Sequence, residues 1–409
     1  MPDEPTSRSD SVVSRRRFLE TSAAGVAATG VAGCIGGIGG GPDSVKIGFA
    51  LPYSGTYSLL GQSITNGFKM RVDQLDGTLG GLEVEYTRQD TEGDPSTGAS
   101  ATQSLLNEEN VDFIVGPVSS AVAGAMFSIV DDAASAIWLC ANAGNDNLVE
   151  KNCTRYFFRT SFSNWHVSAP MGPWVAENVS KRVVLSFADY TAGQQVQANF
   201  QGSFEDAGGT VVKKVGAPLG TSDYSPYLQQ IREADADAIW SFFAGGDAVN
   251  YIKQLHQAGI DQEMTQTGEG FLLSADTLPA QGEAALDKFS MLHYTPWKQS
   301  SRNQKFVNNY RSANDRMPNV YACQGYDSAL VADNALNSAN VGDPDGLISA
   351  IEGMVVEDTP RDYLKIDAER HDPVTSLDIR KVKRAEDGSL MNEVVDTIGR
   401  RKVPFTCNA

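Results

Sequence analysis

Arg182-Val183-Val184-Leu185-Ser186-Phe187-Ala188-Asp189-Tyr190-Thr191 decides how this chain folds. Residues 182–188, rich in β-branched and apolar side chains, read as a strand, and Thr191 then signals the start of a helix over 192–207. A second strand follows at 211–215. A strand, a crossover helix and another strand of these lengths make a parallel pair, because parallel neighbours need a dozen or more connecting residues. The rhythm continues in both directions. Strands are expected at 45–51, 82–89, 113–115, 137–141 and 238–243, with a weaker one at 264–267. Helices are expected at 96–107 after Asp94-Pro95, from about residue 121, at 227–234 after Ser225-Pro226, and at 248–258. Two such runs meet near Thr160, which predicts an α/β protein of two lobes, each a parallel sheet covered by helices on both faces. Helices at 303–314, 321–339 and 345–353 follow, then a strand-like end including 377–382.

The beginning of the chain has a different character. Ser14-Arg15-Arg16-Arg17-Phe18-Leu19 precedes a run of small residues to Gly33 that is too short to span a bilayer, the pattern of an export leader. It resembles a twin-arginine signal. Val31-Ala32-Gly33-Cys34 resembles a lipobox, which implies lipid on Cys34 and a Gly-rich tether over 34–44. Roughly 375 residues follow Cys34, enough for two lobes with a cleft between them.

The leader holds four basic and four acidic side chains, so the net charge of −18 belongs to the remainder. With no basic block, that charge argues against nucleic acid and against a polybasic membrane footprint, leaving lipid as the membrane contact. Low lysine and abundant aspartate suit a protein kept soluble at high salt, as in haloarchaea. Cys140, Cys153, Cys323 and Cys407 are too widely spaced for a zinc knuckle or a small disulfide framework. Asn152 and Asn178 each begin a glycosylation pattern.

No catalytic constellation emerges. His166, His256, His293 and His371 are scattered, and the nucleophile elbow, dinucleotide fingerprint and phosphate-binding loop are absent from the sequence, so neither metal nor cofactor is expected. The informative residues lie after strands, where open parallel sheets bind ligands. They are Pro52-Tyr53-Ser54-Gly55-Thr56-Tyr57, Gly116-Pro117-Val118-Ser119-Ser120, Asn142-Ala143-Gly144-Asn145 and Asp189-Tyr190-Thr191. Ser119 or Ser120 can cap the following helix or aim at a ligand carboxylate, and adjacent serines can divide the two roles.

With Phe158-Arg159-Thr160-Ser161-Phe162-Ser163, Gly220-Thr221-Ser222-Asp223-Tyr224-Ser225 and Gln324-Gly325-Tyr326-Asp327-Ser328-Ala329, these loops resemble the type 1 periplasmic-binding-protein family across residues 45–407. These are substrate-binding lipoproteins of ATP-driven uptake systems for branched-chain amino acids, amides and small acids. The resemblance implies a non-enzymatic, monomeric protein that captures its ligand by hinge closure and delivers it to a membrane permease. It implies crossings near Thr160, His293 and Val355, a first lobe of 45–160 and 293–354, a second of 161–292 and 355–400, and a tail of 401–409 returning to the first. A ligand carboxylate would meet Ser120, Ala143 and Asn145, and an ammonium would meet Glu269. Tyr190 would close over the ligand, while Tyr53, Tyr57 and Phe243 supply aromatic surface where Leu60 replaces a ring common in relatives. Cys153 and Cys407 are expected to form a disulfide. The subgroup marked by Asn142-Ala143-Gly144-Asn145 includes binders of aromatic acids, the alternative to a branched-chain amino acid; a sensor role and, remotely, a secreted hydrolase are the others.

Overall fold

A computed structural model describes residues 42–405. The leader, Cys34 and Cys407 lie outside the described residues. One sheet holds β1 (Ser44–Leu51), β2 (Thr78–Leu79), β3 (Leu82–Asp90), β4 (Phe113–Val115), β5 (Ile137–Cys140) and β6 (Phe157–Arg159), in the order β2-β3-β1-β4-β5-β6. The other holds β7 (Arg182–Ala188), β8 (Thr210–Ala217), β9 (Ala238–Phe242), β10 (Thr265–Glu269), β11 (Phe289–Leu292), β12 (Val355–Val356), β13 (Leu364–Ile366), β14 (Pro373–Arg384) and β15 (Leu390–Arg401). Its order is β12-β13-β14-β11-β10-β9-β7-β8, with β15 paired to β14.

The helices are α1 (Ser58–Asp73), α2 (Pro95–Asn107), α3 (Ser120–Ala133), α4 (Asn147–Glu150), α5 (Met171–Asn178), α6 (Thr191–Asp206) and α7 (Ser225–Arg232). After them come α8 (Gly245–Gln257), α9 (Ile260–Glu263), α10 (Leu278–Gln281), α11 (Ser301–Asn314), α12 (Val320–Leu336) and α13 (Pro344–Ile351). The central strands β4 and β5 are wholly buried, as strands covered on both faces must be.

The expectation of purely parallel sheets needs correcting, because both are mixed. Gly80 and Gly81, both at positive φ, close a two-residue hairpin that sets β2 antiparallel to β3. β14 runs antiparallel to β11, β13 and β15. Only residues 385–389 join β14 to β15, too few for a crossover, so these strands return as a hairpin.

Helix α1 has no counterpart among the sequence expectations. Its glycines hid it and explain it: a Cβ on Gly67 would lie 1.9 Å from the Ala322 carbonyl oxygen, and one on Gly325 2.0 Å from that of Ile64. Glycine therefore lets α1 and α12 touch backbone to backbone. Helix α12 buries every residue except Asn334, the pattern of a helix enclosed on all sides. After β11 the chain thus returns to the first layer through α11 to α13, and β12 to β15 rejoin the second sheet.

Candidate ligand-binding site

Loops at the carboxyl ends of β1, β4, β5 and β6 meet those of β7, β9 and β10 across a narrow cavity. Six rings wall it: Tyr57, Phe162, Tyr190, Phe242, Phe271 and Tyr321. Phe162 and Phe271 pack with centroids 4.9 Å apart, and Phe271 stacks on Tyr321 at 5.5 Å. Leu60, Val118, Ala192 and Ala244 complete the apolar surface; Ser120, Asn142, Gly144 and Asn164 form a polar side. No ionised side chain belongs to this wall. The remaining space is about 20 Å³, the scale of one water, so the lining and not the volume defines the chemistry.

Three helices begin here, α3, α6 and α8, and none has a side-chain cap. Helix α2, by contrast, is capped by Asp94, which accepts from the N–H groups of Ser96 and Thr97. Uncapped helix starts present N–H groups and positive dipole ends that suit an anion. The polar side is rigidly held. Asn142 donates to Gln324 Oε1 at 2.7 Å, and Asn145 donates to the Ser120 carbonyl at 3.0 Å. A Cβ on Gly144 would fall 2.3 Å from Asn164 Oδ1, so only glycine admits Asn164 to the wall.

Contacts across the cleft bring its two sides together. Tyr57 donates to Tyr190 Oη at 3.2 Å. Gln195 on α6 donates to Asn145 Oδ1 at 2.9 Å and accepts from Asn164 at 2.6 Å. Asn199 donates to Asp146 Oδ2 at 2.7 Å. Burial lifts the Asp146 carboxyl to about 7, although Arg159 and these donors pull it down.

Tyr57, Ser120, Asn142 and Tyr190 of the expected site line the cavity, as does Leu60. The other six are not part of the wall. Tyr53 bonds Thr65 at 2.8 Å under the Arg88 guanidinium and is not part of the wall. Ser119 is the N-cap residue of α3 and buried, with its neighbour Ser120 reaching the cavity instead. Ala143 spends its N–H on the Pro117 carbonyl, and Asn145 braces the loop rather than lining the space. Phe243 packs on Tyr251, centroids 4.3 Å apart, while Phe242 faces the cavity, because successive residues along a strand point to opposite sides.

Glu269 is fully buried, is not among the wall residues, and accepts the Phe271 N–H. Burial drives its carboxyl well above the usual range against the pull of Arg380, which disfavours the charged form expected for an ammonium partner. Phe162, Asn164, Phe242, Phe271 and Tyr321 are wall residues the sequence reading did not select. Phe162 lies inside the Phe158-Arg159-Thr160-Ser161-Phe162-Ser163 motif, and Phe242 and Phe271 stand one and two positions from Phe243 and Glu269.

Behind the polar side, buried arginines tie the crossings. Arg159 pairs with Asp372. Arg361 Nε lies 2.8 Å from Asp327 and its guanidinium donates to the carbonyls of Thr160 and Ser161. Arg380 donates to the carbonyls of Tyr294 and Gly270. A larger groove of about 1020 Å³ runs outside the cleft between α11 and the β14–β15 hairpin, but its wall mixes both charges and lacks the convergence of strand ends. Among the described residues there is no cluster suited to a metal, and no helix is long and apolar enough to cross a membrane. Cys140 and Cys323 are buried free thiols; Cys153 has a partner, while Cys407 lies outside the described residues.

A site built from strand-end loops between two sheets is where an open α/β protein receives a small ligand. The chain belongs to the periplasmic binding protein family, whose model matches residues 44–389. It is similar to the Leu/Ile/Val-binding protein homolog 6 of Brucella melitensis, 28% identical over 369 residues that cover 88% of this chain and 93% of the relative. A solute-binding protein of an ABC transporter from R. palustris, solved with benzoate, is 28% identical with a TM-score of 0.83, covering 90% of this chain and 99% of that one. Another from Rhodopseudomonas palustris BisB5, solved with 3,4-dihydroxybenzoic acid, is 29% identical with a TM-score of 0.84, covering 88% and 99%. This chain is accordingly a type I substrate-binding protein of an ABC uptake system, exported and non-catalytic, which delivers a small organic ligand to a membrane permease.

Proposed function

We propose that the ligand is an aromatic monocarboxylate of the benzoate class. The observation that carries this reading is a wall of six rings and uncapped helix starts with no ionised side chain. A single negative charge on a flat ring suits such a wall. A zwitterion would bring a second charge, and an ammonium buried without a carboxylate partner costs several kcal/mol. The ligands of the solved R. palustris relatives agree with this choice. The polar side, Ser120, Asn142 and Asn164 with the start of α3, would receive the carboxylate, and Tyr190 would arrive with the second lobe on closure. Native mass spectrometry of gently purified protein tests the class: a retained mass of an aromatic acid supports it, and a retained aliphatic amino acid contradicts it.

The branched-chain amino acid reading keeps one specific support, the buried Glu269 whose charge acts on the Tyr190 and Tyr321 hydroxyls, together with the Brucella relative's name. Export by the twin-arginine route, lipid anchoring at Cys34 and a Cys153–Cys407 bridge complete the proposal. Cys34→Ala should release the protein into the medium, and non-reducing peptide mapping should recover residues 153 and 407 in one linked fragment.

A further inference from the structure

We propose that Gln195, which is not among the wall residues, is a positioning residue: from α6 it fixes which way the Asn164 amide faces, and so leaves the Ser120 hydroxyl free to donate to a ligand carboxylate. This rests on the aromatic-acid reading and on the polar side as the place of the carboxylate. A side-chain amide can turn end for end, exchanging donor and acceptor, so its sense is set by partners that cannot exchange theirs. Backbone groups supply those partners here. The Asp146 N–H donates to Gln195 Oε1 at 3.0 Å, which makes that atom the acceptor and Nε2 the donor. Nε2 donates to Asn145 Oδ1 at 2.9 Å. Asn145 is fixed in the matching sense, since Oδ1 accepts the Asn147 N–H at 3.2 Å while Nδ2 donates to the Ser120 carbonyl at 3.0 Å.

Asn164 inherits its direction from this chain. Gln195 Oε1 can only accept, so Asn164 turns Nδ2 toward it at 2.6 Å, and the same nitrogen lies 3.5 Å from Ser120 Oγ. A primary amide carries two N–H bonds, one for each of these oxygens. Ser120 Oγ then receives a hydrogen bond on a lone pair, and its own proton is left for an acceptor in the cavity, whose wall includes both Ser120 and Asn164. With Asn164 turned the other way, Ser120 would spend that proton on the amide oxygen and present only lone pairs, which repel an anion. Gln195 lies on the helix after β7 of the second sheet, whereas Ser120, Asn145 and Asp146 follow β4 and β5 of the first. The donor is therefore set only where α6 meets these loops. Asn199, one turn along the same face of α6, also crosses the cleft, to Asp146 Oδ2 at 2.7 Å, but takes no part in the chain.

Calorimetric titration of the full protein with benzoate and with its neutral amide, benzamide, tests the inference in Gln195→Met and Asn199→Ala. Losing a donor aimed at a charged oxygen weakens benzoate more than benzamide, so Gln195→Met should lower the benzoate-to-benzamide affinity ratio roughly fivefold. Asn199→Ala removes a contact across the cleft without disturbing the chain and should weaken both ligands by one factor, leaving the ratio at its wild-type value. Should Gln195→Met not fold, Gln195→Ala, at a half-buried helix position, must show the same fall. An unchanged ratio in the Gln195 variant, or an equal fall in Asn199→Ala, overturns the inference and leaves the aromatic reading standing. If the wild type binds leucine but neither benzoate nor benzamide, the aromatic reading falls, and the inference stands or falls by the same ratio measured with leucine and leucinamide.

Discussion

The wall of the cleft and the crossings behind it lie within a few residues of each other and use opposite chemistry. Asn142, Asn164, Ser120 and six rings face the cavity with no full charge. Arg159, Arg361 and Arg380, all buried, hold the crossings through carboxylates and carbonyl oxygens. A guanidinium fixes geometry because its planar fork binds several acceptors at once, but it would also bind any anion placed beside it. Under the proposed aromatic-acid reading, keeping it one layer back would leave the ligand's carboxylate to the polar side and the helix starts, with ring shape and a few hydrogen bonds carrying selectivity.

The sharpest break of this contrast comes at the crossings. Arg361→Met strands the Asp327 carboxylate in the interior and should cost about 3–5 kcal/mol in urea unfolding, with much of it regained in the Arg361→Met, Asp327→Leu double variant. A loss below about 1 kcal/mol would mean that the pair is not what holds residues 160–161. Phe243→Ala and Phe242→Ala compare packing with wall directly. Phe243→Ala should remove about 3–5 kcal/mol of stability by opening a cavity beside Tyr224 and Tyr251. Phe242→Ala should cost less stability and more ligand affinity; the reverse pattern in paired denaturation and titration would show the two faces of β9 to be misassigned.

Asp146 joins the two regions, and its effect is a slope with pH. Its folded value of about 7 lies above the ordinary 3.8, so the native state holds the proton more tightly and stability falls as pH rises from about 4 to about 7. Asp372, raised to about 6, acts in the same direction; His166, pushed down to about 3 by burial, loses stability as pH falls below 6.5. Asp146→Asn should therefore gain on the wild type in thermal midpoint as pH rises through that window. A constant offset between the two curves would contradict the assignment. The smallest effect expected is that of Glu269→Gln on benzoate affinity, about twofold or less, since Glu269 is not among the wall residues and benzoate carries no ammonium.

The fold was legible wherever strands were short, apolar and buried: β4 and β7 begin and end where their side-chain runs do. β15 was not, because Glu393, Val394, Val395 and Asp396 alternate poorly on an edge strand that buries little. Helix α1 was lost to glycines that serve contact with α12. In the site, loop position was readable but facing was not. Phe243 stood for Phe242 because one residue at the end of a strand reverses the side. Ala143 was chosen for an N–H that only three-dimensional structure shows to be engaged by Pro117. The ammonium role of Glu269 came from the family resemblance, and its complete burial at the end of β10 is a tertiary property that the sequence does not show.

The central claim, that a neutral aromatic wall selects a ring-bearing monoanion over an aliphatic zwitterion, is tested most directly by isothermal titration of one protein sample with benzoate and then with leucine. The account predicts saturable one-to-one binding of benzoate and no measurable heat from leucine. Saturable binding of leucine with benzoate silent would contradict it.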